Sequence, residues 1–140
     1  MTSLDRPTLA EKTAAVQRHL ERVAARLPPD PAQFQPSTDA SDAVILHLWQ
    51  AVQIVIDLAL AACLQANLGT PANYGEAFRK LQEAGWLDGA LADRLVAAAG
   101  FRNVVAHAYE RLDMARVHRA AAQGPEDLRR FLAVIADRSR

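Results

Sequence analysis

Four polar side chains with versatile chemistry, Arg102, Asn103, His107 and Tyr109, interrupt an otherwise apolar run in Gly100-Phe101-Arg102-Asn103-Val104-Val105-Ala106-His107-Ala108-Tyr109. An imidazole, with an unperturbed pKa of about 6.5, suits proton transfer near neutral pH. A guanidinium offers planar paired donors that match a phosphate. A carboxamide can orient either group, and a phenol can accept a transferred group. Inserting such groups into a core without partners costs several kcal/mol, so the run demands an explanation. The plainest is a helix whose polar side faces solvent. Helical spacing sharpens the alternatives. At about 100° per residue Arg102 and Tyr109, seven apart, share a stripe, and Asn103 and His107, four apart, are neighbours. His107 lies about 140° around from Arg102. The two converge only if the helix loosens near His107 or if two copies face each other across a two-fold axis.

The remaining candidates for chemistry are few. Cys63 is the single cysteine, which excludes a disulfide framework and a cysteine-based metal site. No zinc-ligand spacing, phosphate-binding glycine loop or Ser-His-Asp arrangement is visible, so neither a cofactor nor a metal is expected. His19 and His118 fall on polar surfaces and are expected to be solvated, whereas His47, in an apolar helix, is expected to be a hydrogen-bonded core residue.

The elements that must position these residues are all helices. Thr8-Leu9-Ala10-Glu11 fits a capping box, and Leu9, Val16, Leu20, Val23 and Leu27 then form one apolar stripe that ends at Pro28-Pro29-Asp30-Pro31. Residues 28–38, with four prolines, read as an extended connection. A long helix follows, capped by Asp39 or Ser41, from Ala43 to Leu68 and stopped by Gly69-Thr70-Pro71. Its apolar residues go nearly all round, which marks a helix central to a bundle, shared with a second subunit, or crossing a membrane. The membrane option is disfavoured because His47, Gln50, Gln53 and Asp57 fall inside it, and an Asp at mid-bilayer costs about 2.5–3.5 kcal/mol. A short helix over Glu76–Ala84 comes next, after a loop to Tyr74. Asp88 caps a fourth helix reaching Leu112, with Phe101, Val104, Val105 and Ala108 on its apolar side. Asp113 caps a short segment Met114–Gln123, and Gly124-Pro125 opens the last helix. No alternating strand pattern occurs, and the expectation is an all-α bundle of about five to six helices forming a single domain over residues 1–140.

Composition narrows the function. The 140 residues carry 16 Lys and Arg against 16 Asp and Glu, which excludes a polybasic protein that coats nucleic acid or anionic lipid by bulk charge. The neutrality hides a gradient: residues 1–70 sum to about −2 and residues 71–140 to about +2, with Arg102, Arg111, Arg116 and Arg119 in the positive half. No apolar leader is visible in MTSLDRPTLAEK, so a cytoplasmic protein is expected.

Arg102-Asn103-Val104-Val105-Ala106-His107-Ala108-Tyr109 resembles the R-x4-H-x-Y motif of HEPN-domain proteins, specifically the HepT-like toxins. Gln50 and Asp57 in the long helix, Gly69-Thr70-Pro71, Tyr74, Glu76-Ala77-Phe78, Ala84-Gly85 and Gly100-Phe101-Arg102-Asn103 are similar to that family too, so the resemblance spans roughly residues 40–137. It implies a homodimeric helical bundle acting as a metal-independent endoribonuclease, the toxin of a type VII-like toxin–antitoxin pair. It further implies a small nucleotidyltransferase antitoxin that silences the toxin by moving AMP from ATP onto Tyr109. Arg102 and His107 would then be catalytic, with Asn103 orienting the imidazole or holding a phosphate oxygen. One departure stands out. HepT-like sequences often carry an acidic residue where this chain has Gln53, one turn before Asp57; a missing charge there bears on catalysis and not on the fold. A non-catalytic helical subunit that docks with the nucleotidyltransferase is the alternative, and a helical DNA-binding regulator is a distant third because no Arg/Lys-rich recognition helix stands out.

Overall fold

In the computed structural model, which describes residues 4–139, five α-helices follow one another: α1 Arg6–Arg26, α2 Asp39–Gln65, α3 Tyr74–Glu83, α4 Gly89–Ala108 and α5 Met114–Arg138. Single 3₁₀ turns lie at Pro31–Gln33 and Tyr109–Arg111, and no strand occurs among the described residues. The all-α expectation holds. Each helix begins on a side chain that accepts from an otherwise orphaned backbone N–H, a contact worth about 1 kcal/mol. Asp88 Oδ1 accepts from Leu91 N at 2.7 Å and Asp113 Oδ1 from Ala115 N at 3.0 Å, as expected from the sequence.

Other boundaries differ. Helix α1 starts two residues before Thr8: Asp5 is the cap and accepts from the Thr8 N–H at 2.8 Å, because Pro7 tolerates the first turn and lets the helix extend upstream. Thr38 caps α2, in a reciprocal box with Ser41 at 3.0 and 3.1 Å. Asn73 caps α3 through the Glu76 N–H at 2.8 Å, which places Tyr74 on the helix and not in the preceding loop. Helix α2 ends at Gln65, short of the expected Leu68, and Asn67 takes a left-handed φ of 57°.

Two corrections concern the second half. The fourth helix stops at Ala108, whose φ of −147° and ψ of 41° break it before the 3₁₀ turn. Its fully buried residues end at Ala99; beyond it Phe101 and Val105 pack against the core but are only partly buried, so the last turns are less firmly held. Val104, expected on the apolar side, is 46% exposed. Conversely, the expected break at Gly124-Pro125 is absent and α5 runs through it. Proline there forfeits one i→i−4 bond, but Val117 and Ala121 before it and Leu128, Phe131, Leu132 and Ile135 after it are all buried, and that packing carries the helix across.

Helix α2 packs against the other four helices and forms the axis of the core. It is long and apolar enough to cross a membrane, yet half of its most apolar stretch is buried inside the bundle. Phe78 of α3 meets Phe131 of α5 edge-on at 5.6 Å beside it. Two histidines expected at polar surfaces have structural partners instead. His118 is buried; its Nε2–H donates to the Pro28 carbonyl at 2.7 Å and its ring stands edge-on to Phe34, tying the proline-rich connection to α5. His19 of α1 and His47 of α2 face each other with Nδ1 atoms 3.0 Å apart, so one donates while the other accepts. That bond meets the hydrogen-bonding part of the expectation for His47, which is half-buried and not a core residue.

Candidate functional site

Arg102 lies near the end of α4, where it leans over α2 and α3. Its Nε–H donates to Gln53 Oε1 at 2.7 Å and its Nη1 donates to the neighbouring Asn103 Oδ1 at 3.2 Å. Its guanidinium carbon sits 5.2 Å from the Tyr74 ring centre and 5.7 Å from that of Trp49. Both distances are within the range of a cation–π contact, worth about 0.5–2 kcal/mol. Gln53 continues the chain, with Nε2 donating to Asp57 Oδ1 at 3.0 Å one turn further along α2. Nη2 has no partner among the described residues, so its edge of the fork stays available to an anion.

Gln53 is thus part of the site. A carboxylate at that position would neutralise Arg102 directly; the carboxamide accepts the same bond without cancelling the charge, and passes it to Asp57 as a dipole. Trp49 and Tyr74 were not among the site residues expected from the sequence. In the sequence Tyr74 falls in a loop and Trp49 among the apolar residues of the long helix, and only the crossing of α2, α3 and α4 makes them a frame for a cation. The Trp49 indole N–H is buried without an acceptor, a cost of about 1–3 kcal/mol for an unpaired buried group.

His107 is exposed in the last turn of α4 and makes no hydrogen bond or ion pair among the described residues. Because α4 remains helical through Ala108, the two side chains keep their separation of about 140° around the axis. The structure therefore brings Arg102 and Asn103 together and leaves His107 apart from Arg102 within one chain. Tyr109 sits beyond the helix end on the 3₁₀ turn, so it leaves the Arg102 stripe. Its hydroxyl donates to Asp42 Oδ1 in the first turn of α2 at 2.6 Å, and the side chain stays 44% exposed. Burial of the phenol, then the hydrogen bond to Asp42 and the negative charge of that carboxylate, push its pKa up to about 12.

These contacts share one surface of α2. Leu46 and Leu64, 18 residues or five turns apart, lie on roughly one line along the helix with Gln53 and Asp57 between them. Both leucines are about half exposed. Among the described residues no cluster of three or more His, Cys, Asp or Glu is arranged to hold a metal ion.

Known proteins are similar in both sequence and shape. The chain is 28% identical over 127 residues to an mRNA nuclease HepT from Shewanella oneidensis, covering 91% of this chain and 95% of that protein. It superposes with a TM-score of 0.82 and 28% identity on a tri-AMPylated Shewanella oneidensis HEPN toxin solved in complex with an MNT antitoxin, covering 92% of this chain and 96% of that one. A toxin–antitoxin crystal structure with AMP-PNP matches at a TM-score of 0.83 and 27% identity, covering 92% of this chain and 97% of that one. The family model described as Ribonuclease HepT-like matches residues 16–135. With most of the chain inside that match and the R-x4-H-x-Y segment at the end of its α4 and the turn that follows, this all-α protein belongs to the HepT-like ribonuclease family of HEPN domains.

Proposed function

We propose that this chain is the toxin of a toxin–antitoxin pair, a metal-independent endoribonuclease neutralised by AMP transfer onto Tyr109. The observation that carries the reading is the frame around Arg102: Gln53, Trp49 and Tyr74 hold the guanidinium with its outer edge free. RNA brings its own nucleophile. A base takes the proton of the 2′-OH, the oxygen attacks the adjacent phosphorus, and the 5′-oxygen leaves with a proton from an acid, giving a 2′,3′-cyclic phosphate and a 5′-OH. Arg102 stabilises the charge that grows on the phosphoryl oxygens, and His107 moves the proton. Asn103, hydrogen-bonded to Arg102 and one turn from His107, links the two.

Arg102 and His107 diverge on one helix, so the active unit is a homodimer in which His107 of one copy faces Arg102 of the other. The stripe of α2 from Leu46 to Leu64 supplies apolar area for a two-fold contact running through the site. Cytoplasmic location fits this role, with α2 serving as a core helix. In the silencing step the Tyr109 oxygen attacks the α-phosphorus of ATP, pyrophosphate leaves, and the phenolic proton passes to the Asp42 carboxylate already bonded to it. A nucleotidyltransferase antitoxin would catalyse that step. The added anion repels RNA at the site. The similar tri-AMPylated toxin solved with an MNT antitoxin, and the similar toxin–antitoxin structure with AMP-PNP, support this partner.

Incubating the purified protein with RNA, with and without EDTA, tests the first half. Cyclic-phosphate products unaffected by the chelator are expected, and absence of cleavage by the unmodified dimer would refute it. Intact mass after co-expression with the nucleotidyltransferase tests the second; the expected gain is in multiples of AMP, lost in Tyr109→Phe. The divergence of Arg102 and His107 also favours a second reading, a non-catalytic subunit docked to the nucleotidyltransferase, which predicts a monomer without nuclease activity.

A further inference from the structure

On a different side of α4 from Arg102, an open groove of about 640 Å³ runs between this helix and α5. We propose that it is a docking site for an amphipathic acidic segment of a partner protein, one that sets apolar side chains on the groove floor and carboxylates against its arginine rim. The groove is distinct from the frame around Arg102: Phe101 and Val104 line it, while Arg102 is turned about 100–160° away from them.

Its floor is apolar, made by Leu48 and Val52 of α2, Phe101 of α4 and Leu128 of α5. Its walls are low because the facing positions are small, Ala97 and Gly100 on α4 and Ala120 and Gly124 on α5. A Cβ built at Gly100 or Gly124 meets nothing within 4 Å. From Arg94 to Val104 the groove spans about 15 Å of α4, nearly three turns, a length suited to an amphipathic helix presenting side chains at i, i+3, i+4 and i+7.

Charge selects the occupant. Four arginines and two aspartates line the groove. Arg94 is paired with Asp127 at 2.7 Å and Arg116 meets Asp113 at 3.8 Å. Arg111 and Arg119 are exposed and have no ion pair among the described residues. Two uncompensated guanidinium groups over an apolar floor complement a segment with carboxylates along one edge and leucine-like side chains along the other. A nucleic acid strand fits less well. Phe101 is the single ring in the lining, whereas strand binding relies on successive aromatic platforms, and Asp113 and Asp127 interrupt the cationic track.

The test uses the full-length protein and a fluorescein-labelled synthetic 14-residue helix with Leu at core-facing positions and Glu elsewhere. Probes for comparison are the same peptide with Lys in place of Glu and a labelled oligouridylate. Fluorescence anisotropy should show saturable binding of the Glu peptide that weakens as salt rises, with the Lys peptide at least tenfold weaker. The surface double variant Arg111→Glu, Arg119→Glu should weaken the Glu peptide about tenfold. Gly124→Leu should abolish binding by filling the groove while raising helix propensity, its melting temperature staying at or above that of the wild type. Equal binding of both peptides, preferential binding of oligouridylate in a manner lost on plugging, or Glu-peptide binding unchanged by Gly124→Leu would each overturn the proposal. So would absence of peptide binding, or a plugged variant that loses self-association in light scattering, since the groove would then belong to a second copy. RNA cleavage is read in parallel, so a nuclease failure and a docking failure remain separate results.

Discussion

The Nε–H of Arg102 on α4 donates to Oε1 of Gln53 on α2 at 2.7 Å, and that neutral acceptor hands on to Asp57 at 3.0 Å. The bond orients the guanidinium across the helix crossing while leaving its charge uncancelled. Hydrogen bonds to charged groups are worth about 1.5–3 kcal/mol. Gln53→Ala should therefore cut RNA cleavage about tenfold or more through kcat. Gln53→Glu keeps an acceptor in the same place but pairs the guanidinium with a charge, so it should lose activity but less than Gln53→Ala, with a steady-state cleavage assay separating the two. Equal losses in both variants would show that the bond does not position Arg102.

Arg102→Ala and His107→Ala should both abolish cleavage, but their stabilities should differ. His107 has no partner to lose, so its removal should shift unfolding by less than about 0.5 kcal/mol. Arg102 loses two hydrogen bonds and contacts with two rings, so its removal should cost about 1–3 kcal/mol. Urea denaturation of the two variants beside the wild type makes the comparison.

Burial and the Asp42 carboxylate push the Tyr109 phenol up to about 12, above the ordinary value of 10. Its folded pKa lies above its unfolded one, so the stability it contributes is whole below about pH 10 and disappears as pH rises from 10 toward 12. Asp42→Asn removes the carboxylate charge and should bring the ultraviolet titration midpoint of Tyr109 back toward 10. The same variant should slow AMP addition, since the acceptor for the phenolic proton is gone.

The His19–His47 bond should weaken in acid. Burial lowers both pKa values, helped at His19 by His47, Arg18 and Arg22 and at His47 by Arg22 and Arg26. Folded values below the unfolded 6.5 mean that this contribution is present above about pH 6.5 and is lost as pH falls below it. Urea midpoints between pH 7.5 and 5 should fall for the wild type, and the decline should be shallower in His19→Gln.

Pro125→Ala should restore an N–H facing the Ala121 carbonyl within α5. An interior proline costs about 3 kcal/mol in a helix, offset by about 1 kcal/mol through its stiffening of the unfolded chain. A net gain of about 1–2 kcal/mol in urea unfolding is expected, with cleavage unchanged.

The sequence alone was enough to see an all-helical chain and most of its helices, because each depends on information carried within a few residues. Leu9, Val16, Leu20 and Val23 mark a stripe by spacing, Asp88 and Asp113 are caps by type and place, and Arg102, Asn103, His107 and Tyr109 stand out as polar residues in an apolar run. That local signal also carried the family resemblance. It misjudged elements decided by distant packing. Pro125 reads as a helix start because its missing N–H is a local fact, while the buried residues on both sides of it that hold α5 together become visible only when α2 lies against them. Val104 reads as core because it is apolar, yet its side of α4 faces an open groove and stays 46% exposed. His118 reads as solvated until Pro28 and Phe34, some 90 positions earlier, close over it. The site divides in the same way. The sequence supplied a cation, an imidazole and a phenol on one segment; the tertiary structure decided that Gln53, Trp49 and Tyr74 surround the cation, that Asp42 holds the phenol, and that the imidazole stands apart. The physical reason is one of range: helix formation and capping are settled by backbone hydrogen bonds three or four residues apart, whereas the neighbours of a side chain are settled by which helices cross, a property of the whole buried core.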